Sequence, residues 1–423
     1  MRQKSQILLI PGYLVYPSHS GGAVAQTCFL KQYCEHFETH IFLTPLNVNF
    51  NQLEEFKKLY PDLIVHYCFT STSNSFKNRL KRKIVSLIIK FYQFYSPFKI
   101  TSKLTNPLLT ELPPETENTV NKLSAILDQF NFDIIQVEVF RNLAITPLLP
   151  DDCVKIFVSQ EAQFLRIQSQ IAALGREGSI YEKYLEKFQS AMEIALIEKY
   201  DGVIVFSEKE AERHKKYLGQ TIRISPFTPP ERLIPKRSDR PQKLVLLGSE
   251  YHVPNREGIE WLLEHEAKAL NKMELSIYII GGWTSGTIKK WKKKYSVHFT
   301  GIIDDLDEFM SDAIHLAPIR FGGGLKTKVM DTLKLGVPTI ATTHAAEGLP
   351  VENNEHLIIT DSSKGFTDAV IQLIENDDLR SHLSNNSIKL MKQEFSVEKL
   401  GKQRIQTIMD IYEETKMRRT KVF

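Results

Sequence analysis

The chain has 423 residues, of which 42% are hydrophobic, and its formal net charge is +4 at pH 7. One hydrophobic core rarely serves so long a chain, so we expect two domains. The nearly balanced charge argues against a dedicated nucleic-acid-binding protein, which usually has a concentrated basic excess. We therefore expect no nucleic acid among the partners.

The cysteines and the apolar runs predict a cytoplasmic protein. All four cysteines lie in the first half, without a CxxC pair or a histidine at metal-ligand spacing, so we expect reduced thiols. The first apolar run, "ILLI", is too short for a signal peptide. No run of 18 or more apolar residues is present to span a membrane.

Short runs rich in Ile, Val, Leu and Phe alternate with segments of helical length, as in parallel sheets that are buried on both faces. In the first half the predicted strands are 7–10, 40–43, 63–67, 133–139, 154–158 and 202–206. In the second half they are 243–248, 275–280, 297–301, 313–318, 337–341 and 356–360. Six strands on each side predict an α/β protein with two doubly wound, Rossmann-like domains.

Residues 75–99 stand apart, because seven basic side chains are mixed there with large apolar ones. Such a segment either lies on an anionic membrane surface or is a core helix with a solvated basic end. Both interpretations stay open at this stage.

Five prolines between residues 225 and 242 stop helices and central strands, which predicts an interdomain linker. We accordingly predict an N-terminal domain at 1–225, a linker at 226–242 and a C-terminal domain at 243–395. The remaining segment, 396–423, has a helical apolar period. It packs on its own domain or crosses back to the first one.

Glycines follow several predicted strands, where open α/β sheets bind ligands. They are Gly21 and Gly22 after the first strand, Gly248 after the seventh, Gly281 and Gly282 after the eighth, and Gly322, Gly323 and Gly324 after the tenth. Taken alone, the first pair is as well explained by a tight turn. The absence of GxGxxG at this turn argues against a dinucleotide-binding dehydrogenase.

The three consecutive glycines leave backbone N–H groups uncovered at the start of a helix that begins near Lys326, and such a nest binds anions. Lys326 and Lys328 lie in its first turn, where positive charge opposes the helix dipole unless an anion is bound. Residues that are locally unfavourable, as these lysines are at a helix N-terminus, are typical of a functional site. Asp331, on the same helical face, either accepts hydrogen bonds from ribose hydroxyls or pairs with Lys328 as a dipole-stabilised acid.

Other chemistries lack their signatures. The chain has no GxxxxGK[ST], GxSxG or HExxH motif, which argues against phosphate-loop hydrolases, serine-elbow hydrolases and zincins. Asp304 and Asp305 are better explained as the cap of the next helix than as metal ligands. We therefore predict no metal and no cofactor.

Segments of the second half occur in an order and spacing that resemble a known family. They are "LVLLGSEYHVPNREGIEWLL", "IYIIGG", "VHFTGIIDDLDEFMSDAIHLAPIRFGGGLKTKVMDTLKLGVPTIATTHAAEGL" and "EFS". Together they resemble the donor-binding domain of retaining glycosyltransferases of the GT-B fold, in particular glycosyltransferase family 4. The first half is similar more loosely, through "IPGYLVYPSHSGGAVAQ", "FDIIQVE", "VSQEAQFLRIQ" and "DGVIVFSEKE".

The resemblance implies two domains facing each other across a cleft, with a nucleotide-diphosphate sugar held by the C-terminal one. A glycan or lipid-linked acceptor would lie on the N-terminal domain, and transfer would proceed with retention and without a metal. The implied setting is bacterial surface polysaccharide synthesis in the cytoplasm, at the inner face of the membrane if residues 75–99 bind it. Preorganised cations and amides would stabilise the departing diphosphate.

The resemblance also assigns roles to residues. Those expected at the chemistry are Lys328, Gly323 and Gln160. Those expected to bind the donor are Gly22, Gly248, Gly282, Arg320, Gly322, Gly324, Lys326 and Asp331. Those expected on the acceptor side are Gly21, Glu161 and Arg166.

Two departures from the family leave alternatives open. Gly323 and Asp331 stand where the family often has two glutamates. Gln160 stands where many relatives have a histidine; it can bond a hydroxyl but cannot relay a proton. A non-catalytic GT-B subunit that binds nucleotide sugar or a partner enzyme is therefore an alternative. A nucleotide-sugar epimerase is less favoured, because the glycine loop offers no acid or base.

Overall fold

The computed structural model describes residues 4–18, 20–48, 50–68, 116–160, 162, 168, 177–219, 221–231, 234, 240–273, 275–303, 306–322 and 324–420. Outside the described residues lie the basic segment 75–99 and five residues singled out from the sequence: Glu161, Arg166, Asp304, Asp305 and Gly323.

The first half forms a seven-stranded sheet in the order β3-β2-β1-β4-β5-β6-β7, with every neighbouring pair parallel. Its strands are β1 (Gln6–Ile10), β2 (Glu38–Leu43), β3 (Ile64–Tyr67), β4 (Ile134–Glu138), β5 (Val154–Val158), β6 (Gly202–Val205) and β7 (Thr221–Ile224). The central strands β4 and β5 are buried along their whole length, which is why they are continuous apolar runs in the sequence.

The second half forms a six-stranded parallel sheet in the order β10-β9-β8-β11-β12-β13. Its strands are β8 (Lys243–Leu247), β9 (Ser276–Ile280), β10 (His298–Gly301), β11 (Ala313–Ala317), β12 (Thr339–Ala341) and β13 (Ile358–Ile359). In both sheets the strand order reverses beside the first strand, so each is doubly wound.

Helices connect the strands of both sheets. The described α-helices are α1 (Gly21–Thr27), α2 (Leu30–His36), α3 (Leu53–Leu59), α4 (Glu117–Gln129), α5 (Ile180–Ile197), α6 (Glu208–Lys215), α7 (Val253–Leu270), α8 (Ser285–Tyr295), α9 (Leu306–Phe309), α10 (Thr327–Lys334), α11 (Thr343–Ala346), α12 (Ser363–Glu375), α13 (Asp377–Glu394) and α14 (Val397–Thr420). Short 3₁₀ helices cover Phe50–Gln52, Phe140–Leu148 and Asn271–Met273. Among the described helices, none combines the length and apolar composition needed to cross a membrane.

The predicted α/β class is confirmed, and each of the predicted strands has a counterpart in the structure. The prediction of six strands in the first half was wrong, because β7 makes a seventh. Its sequence, "TIRI", is short, alternates polar and apolar residues and is only half-buried at the edge of the sheet. A continuous apolar run, the pattern used to find the other strands, is absent from such an edge strand.

The C-terminal helix α14 contacts the first sheet. The Arg404 guanidinium donates to the hydroxyl and the carbonyl oxygen of Ser225, just after β7, at 2.7 Å each. The Tyr412 hydroxyl donates to Asp133 Oδ1 (3.3 Å), just before β4, and Arg419 binds the Asp201 carboxylate (3.1 Å). The helix therefore follows the second sheet in sequence and packs against the first.

Arg404→Ala should lower the free energy of unfolding by roughly 3 kcal/mol. Arg404 is 1% exposed and lies over the rings of Phe29 and Phe206, so its loss leaves a cavity and an unpaired Ser225 carbonyl. Urea unfolding at equilibrium measures the change. Lys402→Ala, which breaks an exposed pair with Glu398 on the same helix, is the control and should leave stability nearly unchanged. Equal effects in the two variants would contradict the role given to Arg404.

Candidate functional site

The loop between β11 and α10 has a backbone that only glycine adopts easily. Gly322 and Gly324 have φ values of 110° and 71°. His344 Nε2, on α11, donates to the Gly322 carbonyl oxygen at 2.6 Å and holds the loop from one side. On the other side, a Cβ built on Gly322 would lie 3.1 Å from Pro254 in the first turn of α7. The loop is thus fixed between the helices that follow β8 and β12, the two strands on either side of β11.

Lys326 is the N-cap residue of α10, and Lys328 lies in the first turn. The Lys326 ammonium folds back and donates to the Gly324 carbonyl oxygen at 2.8 Å, with only 9% of the residue exposed. Burial lowers the pKa of Lys328, and the Asp331 carboxylate opposes this shift. Lys328 is thus held at a helix N-terminus in surroundings that disfavour its charge, which an anion would relieve.

A small cavity connects Lys328 to the ends of β8 and β11. Lys328, His315 and Asn255 are among the residues that line it. Burial, followed by the charge of Lys328, lowers the pKa of His315 to about 3, so this imidazole is neutral at physiological pH. His315 Nδ1 lies 3.0 Å from the Thr332 hydroxyl. Among these three side chains, Lys328 is the one whose charged form a bound anion would stabilise.

Asn255 was missed by the sequence reasoning. Its residue is 3% exposed, and its side-chain nitrogen has no hydrogen-bond partner among the described residues. A buried amide that lines a cavity without a partner is a candidate donor for a bound ligand. The sequence did contain a signal. Asn255 follows Pro254 in the first turn of the helix that comes after β8, and Gly248 directly follows that strand.

The other predicted donor-side residues divide into two groups. Gly248 and Gly282 lie after β8 and β9, where a Cβ on Gly281 would overlap the Gly248 carbonyl and a Cβ on Gly282 would meet nothing within 4 Å. The Trp283 indole donates to the Gly248 carbonyl oxygen at 2.8 Å. Arg320 lies apart, over the ring of Trp261 at 4.9 Å and beside Glu257 at 3.5 Å.

The two halves of the chain meet at this loop. A Cβ on Gly21, the first residue of α1, would overlap the hydroxyl of Thr327, the first residue of α10. A Cβ on Gly324 would lie 3.1 Å from the main-chain oxygen of Gln160, at the end of β5. The structure therefore brings Gly21, Gln160 and the glycine loop together, although each lies more than 130 residues from the next in sequence.

The carboxylates of Glu210 and Glu347 make further contacts between the two halves of the chain. The Gly324 N–H donates to Glu210 Oε1 (3.0 Å), and the other oxygen of Glu210 accepts from the Phe206 N–H (3.3 Å). The Gly324 amide, expected from the sequence to face a ligand anion, here binds a carboxylate of the protein. Glu347, after α11, accepts from Lys209 (3.0 Å) and Arg213 (3.2 Å) on α6.

Gln160 lies on the first-sheet side of the cleft. Its side-chain nitrogen donates to the Gly22 carbonyl oxygen and to Glu138 Oε2, each at 3.4 Å. Glu138 ends β4, is 4% exposed, and has its pKa raised to about 7 by burial. The sequence reasoning included Glu138 in a matching segment without giving it a role. Among the described residues, no group of three or more His, Cys, Asp or Glu side chains is arranged to hold a metal ion.

Comparison with known proteins finds a family match within the second half and similar folds among solved structures. Residues 241–376 match the model of the family Glycosyl transferases group 1. No curated protein matches the chain.

Solved structures match nearly the whole chain at low sequence identity. Sucrose-phosphate synthase from Thermosynechococcus elongatus has a TM-score of 0.69 at 14% identity, covering 97% of this chain and 100% of that one. TarM from S. aureus, as a mutant in complex with fondaparinux, alpha-GlcNAc-glycerol and UDP, has a TM-score of 0.65 at 12% identity, covering 96% and 99%. Anabaena HepE in complex with UDP-glucose has a TM-score of 0.62 at 13% identity, covering 96% and 99%. These neighbours confirm the expected GT-B fold.

Gly21→Ala should loosen the contact between α1 and α10, because the added methyl group overlaps the Thr327 hydroxyl. Overpacking of this kind costs about 1–3 kcal/mol, and we expect a larger radius of gyration in small-angle X-ray scattering. The double variant Gly21→Ala with Thr327→Ala removes the overlapping oxygen and should recover much of the compactness.

Gly219→Ala adds a methyl group where nothing lies within 4 Å, and it serves as the control for this experiment. A radius of gyration in Gly21→Ala equal to that of the control would show that the two helix ends are not in contact in solution.

Proposed function

We propose that this chain, whose residues 241–376 belong to the Glycosyl transferases group 1, transfers a sugar from a nucleotide-diphosphate sugar to a hydroxyl group of a glycan or lipid-linked acceptor. The observation that carries the proposal is the pair of lysines at the N-terminus of α10, preceded by glycines in the left-handed region. The chain folds so that this N-terminus faces the other half of the molecule, where an acceptor would lie.

The surroundings of Lys328 suit a diphosphate. Its charge is disfavoured by burial, so pairing with a phosphate oxygen recovers the energy lost by desolvation. Asn255 lines the same cavity, and its side-chain nitrogen, which has no partner among the described residues, can donate to a second oxygen. HepE in complex with UDP-glucose and TarM in complex with UDP support this class of donor for the chain.

In the proposed reaction, the bond between the anomeric carbon and the terminal phosphate oxygen breaks, and the acceptor oxygen forms the new bond to that carbon. The electron pair of the broken bond stays on the departing phosphate oxygen, which takes up the proton that the acceptor hydroxyl loses. Lys328 and the helix N-terminus stabilise the growing negative charge, so they lower the barrier more than they tighten ground-state binding. We propose retention of the anomeric configuration and no metal requirement, as the resemblance to family 4 implies.

The acceptor side is proposed from the first sheet. Gly21, which the resemblance places on the acceptor side, borders the cleft opposite α10. The TarM complex with alpha-GlcNAc-glycerol and fondaparinux supports a sugar-containing acceptor. We further propose a role in bacterial surface polysaccharide synthesis, in the cytoplasm, with residues 75–99 contacting the inner face of the membrane.

Lys328→Ala should reduce kcat/KM by about 10²–10³-fold, which is the usual cost of removing a preorganised group that stabilises developing negative charge. Turnover of UDP-glucose and of other nucleotide sugars, followed by release of the nucleoside diphosphate, measures the effect. Lys289→Ala on the exposed side of α8 is the matched control and should behave as wild type. Unchanged turnover in Lys328→Ala would remove this lysine from the site. Donor binding without any turnover in the wild type would favour the non-catalytic subunit.

Asp331→Asn should weaken binding of the free nucleoside diphosphate about tenfold, because a carboxylate that accepts from ribose hydroxyls loses a charge-assisted hydrogen bond. Isothermal titration calorimetry with UDP and with inorganic pyrophosphate, which has no nucleoside, separates binding of the nucleoside from binding of the diphosphate. The ribose role predicts weaker UDP binding and unchanged pyrophosphate binding. If Asp331 only pairs with Lys328, both ligands will change together.

A further inference from the structure

Glu138 occupies an unusual place for a carboxyl group. It ends the central strand β4, is 4% exposed, and lies directly behind Gln160 at the cleft. Its first oxygen accepts from Gln136 Nε2 at 2.7 Å and its second from Gln160 Nε2 at 3.4 Å. Isolated buried carboxylates are costly, so a position of this kind needs a reason.

The geometry fixes how the Gln160 amide is turned. Its nitrogen donates to two acceptors, the Gly22 carbonyl oxygen and the Glu138 carboxylate. A carbonyl and an ionised carboxylate can only accept, so the opposite orientation of the amide would place an oxygen against two oxygens. The Gln160 carbonyl oxygen is consequently left for a donor from outside this pair.

We propose that Glu138 is a positioning residue for sugar transfer: its ionised carboxylate turns the Gln160 amide so that the amide oxygen accepts a hydrogen bond from a hydroxyl of the donor sugar. This inference rests on the proposed function and adds to it a specificity-determining contact. It assigns the Glu138–Gln160 pair the task of recognising a hydroxyl group, and it excludes proton relay by Gln160, whose amide does not titrate.

The charge of Glu138 makes the pair sensitive to pH. When Glu138 is protonated it carries an O–H donor, and the Gln160 amide can then turn its oxygen inward. Burial raises the pKa of Glu138 to about 7, against the lowering effects of Arg404, Gln136 and Gln160. Because the carboxylate is the active form, transfer should fall as the pH drops through about 7.

Within the part of the chain that the structure describes, the other titratable and charged groups around Glu138 do not change charge in this range. They lie on three elements packed against β4: Arg404 on α14, Cys28 just after α1 and Tyr33 on α2. Burial raises the pKa of the Cys28 thiol and of the Tyr33 phenol to about 12 each. The guanidinium of Arg404 stays charged throughout. An acidic limb near pH 7 from this cluster therefore belongs to Glu138.

The test compares pH profiles of sugar transfer for wild type, Glu138→Gln, Gln160→Ala and the double variant between pH 5.5 and 9. For wild type we expect log kcat to fall below about pH 7. Glu138→Gln should lose this acidic limb and lower kcat at pH 8 by tenfold or more, with UDP binding unchanged. The double variant should be no slower than Gln160→Ala alone, because Glu138 acts through Gln160. Glu54→Gln, on the exposed surface of α3, is the control.

A second measurement does not depend on activity. The side-chain amide resonances of Gln160, assigned by their loss in Gln160→Ala, should titrate near pH 7 in wild type and stay constant in Glu138→Gln. Survival of the acidic limb or of this titration in Glu138→Gln overturns the proposal, as do additive losses in the double variant. Absence of both UDP binding and transfer in wild type overturns the proposed function itself, whatever the resonances do.

Discussion

The ends of two helices meet at one point of this molecule, and most of the candidate site depends on that contact. The first residues of α1 and α10, Gly21 and Thr327, touch across the cleft. In a parallel sheet, helix N-termini lie at the carboxyl ends of the strands, so facing two such sheets concentrates unpaired amides and positive potential between them. Glycine at position 21 is required by the closeness of the approach, and the same contact brings Lys328 toward the acceptor side.

Positive potential at this contact is partly balanced by the protein itself. Glu210 accepts from the Gly324 amide, and Glu347 accepts from Lys209 and Arg213. Each of these contacts joins residues of the first half to residues of the second. The contacts that balance the positive charge are therefore also contacts that hold the two halves together. A phosphate that approaches the glycine loop meets one amide already bound to a carboxylate, while the ammonium of Lys328 and the amide of Asn255 line a separate cavity.

The sequence predicts the fold well, because buried parallel strands are continuous apolar runs and the glycines that follow them mark the ligand-binding edge. Lys328 was found because a lysine in the first turn of a helix opposes the helix dipole, and the glycine loop was found because three consecutive glycines precede that helix. Glu138 and Glu210 could not be found in this way. Each has an ordinary sequence environment, at a strand end and in a helix first turn, and its role arises from partners such as Gln160 and Gly324 far away in the chain. Asn255 is the intermediate case, since its position was predictable but its missing partner was not.

The helix α14 also affects a charged group at the cleft, although the two are far apart in the sequence. Arg404 anchors α14 to Ser225, and its guanidinium also lowers the pKa of Glu138 against the effect of burial. A buried cation thus compensates part of the cost of a buried carboxylate, which in turn orients a side chain at the cleft. Because Arg404 belongs to the segment that follows the second sheet, the crossing of α14 back to the first sheet contributes to the electrostatics of the cleft as well as to stability. Packing between the two halves and protonation of Glu138 are therefore linked through one side chain.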